Sequence, residues 1–217
     1  FMRNMFKVTP DTLVPRPETE LLVESIVMAA EAVGGDVKIL DIGTGSGAII
    51  VSLLDYLPQA KGVGVDISVG ALTVAKENAV GIGVAERAGF LRSDVFSALP
   101  LDKKFDIIVS NPPYIPAGDI AGLAKDVQQE PIGALDGGAD GLDFYRRITK
   151  EAPLHMVEDG LLAFEIGIYQ GEAVAELCRQ AGFGAVAIRK DYAGIERMVF
   201  AAKEGGKYAD LLLEIAK

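Results

Sequence analysis

The chain of 217 residues has no tryptophan, one cysteine and one histidine. A lone cysteine excludes an internal disulfide and suits a reducing compartment. Cys178 lies in a helical pattern, Glu172–Cys178, and reads as core packing. The single histidine, His155, has no Asp, Cys or second His at ligand spacing, so no metal is expected. It reads as a surface residue at the end of a helix. No apolar run reaches the ~18 residues of a membrane span. The first residues, Phe1–Phe6, lack the apolar segment and cleavage site of a secretory leader. A cytoplasmic location is therefore expected, with no membrane partner. Basic residues are few: 21 Lys and Arg against 31 Asp and Glu, a net charge of −10. Phosphate contacts need cations, so this balance weighs against nucleic acid as a partner, though a local basic patch would offset it. Repeats, low-complexity tracts and a phosphate-binding P-loop are also missing.

Half of the residues are hydrophobic, enough for one α/β domain with a large core. Apolar runs alternate with helical patterns, which points to a mostly parallel sheet. Strands are expected at Val37–Ile42, Lys61–Asp66, within Gly89–Phe96, at 105–110 and at Gly160–Ile166. Helices are expected from Pro17 to about Ala32, at Ala48–Leu54, Leu72–Ala79, Asp143 to about Met156, and Gln170–Ala181. Gly184–Lys190 and Glu196–Ala202 are joined too tightly for a crossover, so they form an antiparallel pair. The result is a seven-stranded sheet with one antiparallel strand near the C-terminus. Residues 1–25 read as an arm packing on the main domain, 26–203 as that domain, and 204–217 as a charged tail with a short helix, Tyr208–Ala216.

Two stretches carry chemistry. The first is Asn111-Pro112-Pro113-Tyr114, a stiff loop at the carboxyl end of a buried strand, where open α/β sheets bind ligands. The Asn111 side-chain oxygen and the Pro112 carbonyl each accept one N–H, an arrangement that suits a planar –NH2 group. Tyr114 offers a flat face for stacking.

The second is Asp41-Ile42-Gly43-Thr44-Gly45-Ser46-Gly47, a strand running into a glycine turn and a helix. Asp66, with Ile67 beside it, ends the next strand at the offset of an acid that binds ribose hydroxyls. Asp94 and Val95 stand where an adenine would meet an acceptor and an apolar wall. Gly43, Gly45 and Ala48 also satisfy the nicotinamide-dinucleotide fingerprint, so the glycines alone do not separate NAD from S-adenosylmethionine. The long polar connection from Ile115 to Asp140 exceeds an ordinary linker and reads as functional.

Together these stretches resemble the release-factor glutamine N5-methyltransferases, the HemK/PrmC family. Asp41–Gly47 is closer to the first motif of S-adenosylmethionine-dependent methyltransferases than to the NAD one. Phe6-Lys7-Val8, Pro15–Glu20, Glu130-Pro131 and Gly137–Leu142 match that family's segments, and the likeness covers residues 1 to about 202. It implies a class I, Rossmann-like methyltransferase with S-adenosyl-L-methionine as cofactor. Asp41, Gly43, Thr44, Gly45, Ser46, Gly47, Asp66, Ile67, Asp94, Val95 and Asn111 would hold the cofactor. Asn111, Pro112, Pro113 and Tyr114 would hold the substrate, with Asn111, Pro112 and Tyr114 as the catalytic set. The implied partner is a class I peptide chain release factor, methylated on the glutamine of its Gly-Gly-Gln loop. The family's N-terminal helical domain is missing here, so the chain reads as a catalytic-domain fragment. Other readings are an amino-methyltransferase acting on a nucleic-acid base or a ribosomal-protein glutamine, an NAD-dependent oxidoreductase, and a protein that binds the cofactor without catalysis.

Overall fold

The alternation of apolar strands and helices produces a single seven-stranded sheet of order β3-β2-β1-β4-β5-β7-β6. The computed structural model describes residues 1–125 and 127–215. β1 (Lys38–Ile42), β2 (Lys61–Asp66), β3 (Ala88–Arg92), β4 (Phe105–Ser110) and β5 (Met156–Glu165) run parallel. β7 (Glu196–Ala202) is antiparallel to both β5 and β6 (Ala185–Lys190), as the short connection between β6 and β7 requires. β1 pairs with β2 on one side and with β4 on the other. Strand order reverses there, so the carboxyl ends of β1 and β4 open a crevice.

α1 (Pro17–Val33), α2 (Ala48–Tyr56) and α3 (Val69–Ile82) cover one face of the sheet; α4 (Asp143–His155) and α5 (Gly171–Gln180) cover the other. Alternation along the strands divides the core accordingly. Val109 and Ala163 pack in the layer under α1 and α2, while Ile108 and Leu162 pack under α4 and α5. α1 starts as its sequence dictates, with Pro17 at its first position and Glu18 and Glu20 in its first turn. It ends at Gly34, whose φ of 72° and N–H bond to the Ala30 carbonyl close the last turn. Residue 25 lies inside this helix. Among the described residues no helix is long and apolar enough to cross a membrane.

Three expectations need correction. α3 runs three residues further at each end, because Ser68 caps it by accepting the Ala71 N–H and Gly83 terminates it with φ 88°. His155 ends α4 as expected but is 3% exposed, stacked on Phe96 with ring centroids 4.7 Å apart. Burial pushes its pKa down, with Lys104 nearby adding to the shift. In the tail, turns occupy most of 204–211 and the helix α6 spans only Leu212–Ile215; Ala216 lies outside the described residues. Tyr208, Leu212 and Ile215 are buried in the layer that includes α1.

Candidate active site

At the crevice between β1 and β4 lies a cavity of about 290 Å³. The glycine turn forms one wall. Gly43, Gly45 and Gly47 all have positive φ, at 71°, 54° and 79°. A Cβ on Gly43 or Gly45 would meet nothing within 4 Å, so the backbone there faces open space. Gly47 differs: it caps α2, and a Cβ would press on Ala75 at 3.1 Å. Asp66 fastens this turn. One of its oxygens accepts the Gly45 N–H and the other the Ser68 N–H, both at 2.9 Å. Each oxygen keeps a lone pair for a ligand hydroxyl.

Asp41 is buried beneath the turn and does not line the cavity. Its Oδ2 accepts the Thr44 hydroxyl at 2.6 Å, while Oδ1 has no partner among the described residues. Burial pushes its carboxyl up to about 7 against the Thr44 bond that lowers it. Asp41 therefore acts on the site through Thr44.

Asp94 and Val95 line a further wall. Val95 has a φ of 53°, rare for a β-branched residue. The Ser93 hydroxyl holds it there by donating to the Val95 carbonyl at 2.8 Å, while accepting the Ala98 N–H at 3.0 Å. Asp94 pairs with Arg147 at 2.7 Å, and both remain substantially exposed.

Asn111, Pro112 and Pro113 face the same cavity as Gly43–Ser46, Asp66, Ile67, Asp94 and Val95. Tyr114 does not line it. Its half-buried ring packs against the core layer that contains Tyr145 and Phe164. Burial pushes its pKa up to about 12, so the phenol stays protonated. This placement favours bracing the loop over the stacking expected from the sequence.

The glycine-rich segment 137–142 braces the same loop from behind. The Ile115 N–H bonds to the Leu135 carbonyl, and the Gly137 N–H returns to the Ile115 carbonyl at 2.8 Å. A Cβ on Gly137 would lie 2.8 Å from the Pro113 carbonyl oxygen, and one on Gly141 2.3 Å from that of Tyr114. Only glycine lets the two backbones approach so closely. Gln170 completes the brace by donating to the Tyr114 carbonyl at 2.9 Å. Gly141, with φ 76°, combines the close approach with a left-handed backbone. Gly141→Ala is expected to destabilise the fold by roughly 1–3 kcal/mol, read as a lower urea midpoint at unchanged slope. A midpoint equal to that of the unmodified protein would contradict the bracing role.

Two proline-punctuated segments cover the cavity. Pro10–Leu13, Pro15 and Arg16 of the arm line the cavity, as do Pro131, Gly133 and Ala134 of the long connection. Arg16 ties the two together through one guanidinium nitrogen, 2.8 and 2.9 Å from the two oxygens of Glu130. A Cβ on Gly70 would collide with Asp11, so the arm presses on the start of α3. Proline punctuation marks both segments in the sequence, and the second is also longer than an ordinary linker. Among the described residues no cluster of His, Cys, Asp and Glu could hold a metal.

A mostly parallel sheet with a reversed seventh strand, a glycine turn after β1 and an acid ending β2 define the class I methyltransferases. Residues 17–130 match the methyltransferase small domain family. The fold is also similar to a methyltransferase from Pyrococcus furiosus, with a TM-score of 0.66 and 17% identity over 91% of this chain and 88% of that one. Two release factor glutamine methyltransferases, from Cereibacter sphaeroides and Moorella thermoacetica, are each 46% identical over 202 residues, 93% of this chain. The match spans 70% and 71% of their respective lengths. The chain belongs to the release factor glutamine methyltransferase family.

Proposed function

We propose that this chain transfers a methyl group from S-adenosyl-L-methionine to the side-chain amide nitrogen of the glutamine in the Gly-Gly-Gln loop of class I peptide chain release factors. The observation that carries this reading is the shared cavity, which Asn111 and Pro112 line together with a glycine turn fastened by Asp66. The names of the relatives supply the substrate class.

The residues present fit the cofactor. The open space beside Gly43 and Gly45 admits a chain close to the backbone. The spare lone pairs of Asp66 suit ribose hydroxyls, and Val95 with Ile67 suits a purine face. Thr44, held by Asp41, and Ser46 would flank the methionine end, where α2 has no side-chain cap to occupy its first amides. When bound, the cofactor supplies a sulfonium methyl whose leaving group is a neutral thioether.

What the protein adds is placement. An amide nitrogen is a poor nucleophile because its lone pair is delocalised into the carbonyl. The Asn111 oxygen and the Pro112 carbonyl accept its two N–H bonds, which fixes the nitrogen and favours the positive charge that grows on it. Holding two reactants in line is worth on the order of 7–11 kcal/mol. No general base is required, since the methylated nitrogen is acidic and loses its proton to water. The arm of residues 1–25 and the connection to Glu130 close over this cavity. The main domain, 26–203, carries the chemistry, and the tail packs behind α1 through Tyr208, Leu212 and Ile215. The free, buried Cys178 is in keeping with work in the cytoplasm.

The test is incubation with S-adenosylmethionine and either a class I release factor or duplex DNA, followed by mass spectrometry of the products. One added methyl on the Gly-Gly-Gln glutamine is expected. Methylation of DNA with an unmodified release factor would contradict the proposal.

A further inference from the structure

Glu165 is a buried carboxylate beside this site that does not itself line the cavity. It ends β5, where the parallel pairing with β4 sets Ser110 against Phe164. One residue further along, Asn111 and Glu165 emerge on the same side, toward α1. Thr19, in the first turn of α1, lies between them. The Thr19 hydroxyl is 2.5 Å from Glu165 Oε2, and Asn111 Nδ2 is 3.5 Å from Thr19 Oγ1. Glu165 and Thr19 are 3% and 4% exposed, so water does not compete for these bonds.

This chain of contacts has a direction. An ionised carboxylate only accepts hydrogen bonds. The Thr19 O–H must then point at Glu165, which leaves only lone pairs toward Asn111. The NH2 end of the Asn111 amide is the end that can bond there. Its carbonyl oxygen is consequently the end left for the cavity. A flipped amide would set oxygen against oxygen at Thr19 and present donors to a reacting nitrogen that itself offers only N–H.

We propose that Glu165, acting through Thr19, is a positioning residue that fixes the amide orientation of Asn111 and so commits the site to accepting N–H bonds from an –NH2 substrate. This rests on the glutamine-methylation reading. Protonation would undo it, because a neutral Glu165 donates, and the relay through Thr19 reverses. Burial pushes the Glu165 carboxyl up to about 7, opposed by the Thr19 bond, by Arg197 of β7 and by the nearby Asn111 amide, and aided by Glu18 of α1. The Tyr114 phenol on the adjoining loop and the Tyr145 phenol of α4, which donates to the Glu165 backbone carbonyl at 2.9 Å, face it as neutral groups. Turnover should therefore rise with pH through about 7.

The experiment compares the full chain with Glu165→Gln, Thr19→Val and Thr19→Ser, using S-adenosylmethionine and a Gly-Gly-Gln peptide. Glutamine at 165 both donates and accepts, and valine at 19 breaks the relay. Each is expected to lower kcat about 10–100-fold while the cofactor Kd by calorimetry stays within about threefold. Thr19→Ser keeps the hydroxyl and should restore most of the activity. The limb near pH 7 should be present in the unmodified protein and absent from Glu165→Gln. If Glu165→Gln does not fold, judged by loss of cofactor binding, the Thr19→Val and Thr19→Ser pair decides. Unchanged kcat in Glu165→Gln or Thr19→Val, or an unchanged limb in Glu165→Gln, overturns the inference. An unmodified protein that binds cofactor yet leaves the peptide unmethylated overturns the functional reading instead.

Discussion

Asn111→Ala is expected to lower kcat by about 10²–10³-fold with the cofactor Kd changed by no more than about threefold. The asymmetry follows from where Asn111 stands. The Gly43–Gly45 turn and Asp66, which would carry most of the cofactor contacts, are fastened to each other by the Gly45–Asp66 bond and owe nothing to Asn111. The loop backbone is likewise held independently, by Ile115 on Leu135 and by Gln170 on the Tyr114 carbonyl. Alanine therefore removes one oxygen acceptor from the cavity and the Nδ2 contact with Thr19 behind it, and leaves the loop backbone in place. The Pro112 carbonyl remains, but a nitrogen held by one bond can rotate, and the positive charge that grows on it during transfer loses half of its stabilisation. Single-turnover rates measured beside calorimetric binding separate the two effects. Full activity in the variant would end the placement account.

The second large effect concerns stability and pH. Asp41 and Glu165 are buried, and burial raises both carboxyls to about 7 from ordinary values near 3.8 and 4.5. The folded state thus binds two protons more tightly than the unfolded chain does. Stability from these groups is fully present below about pH 4 and is lost as pH rises through about 7. A tenfold change in proton affinity corresponds to about 1.4 kcal/mol, so the loss is on the order of 3–5 kcal/mol per group between about pH 4 and 8. Carboxyls displaced the other way, at Asp140 and Asp191, titrate below this window. Urea midpoints should accordingly fall between about pH 5 and 8, and the fall should be smaller in Asp41→Asn. The slope and not the absolute stability is the readout, since asparagine at 41 leaves a buried amide imperfectly paired. An equal slope in the variant would show that Asp41 is already ionised at the acid end of the range.

Both carboxylates sit where function demands them at a cost in stability. Asp41 holds Thr44 and through it the glycine turn; Glu165 holds Thr19. This explains what the sequence displayed and what it hid. The sheet was legible because β4 and β5 contain apolar runs, Ile107–Val109 and Leu161–Phe164, because β1 and β2 end at a glycine turn and an acid, and because 191–195 is too short for a crossover. The glycine turn, Asp66 and the Asn-Pro-Pro-Tyr loop were legible because their chemistry is local in sequence. Thr19, Glu165 and Gln170 were not. Each acts through a partner 56 or more residues away, at 2.5 to 3.5 Å in space. Only register and helix placement bring them together. His155 was misjudged for a similar reason: its burial depends on Phe96, which reaches it from the loop after β3. The tyrosine of the loop suggested stacking from its chemistry alone, and tertiary packing drew it into the core layer instead.

The most direct test is a crystal structure of the chain with S-adenosylhomocysteine. The sulfur is expected in the cavity between the Gly43–Gly45 turn and the Asn111 amide, with the ribose on Asp66 and the Asn111 oxygen toward the space the methyl would enter. A ligand seated elsewhere, or an Asn111 amide group aimed away from the sulfur, would contradict the account.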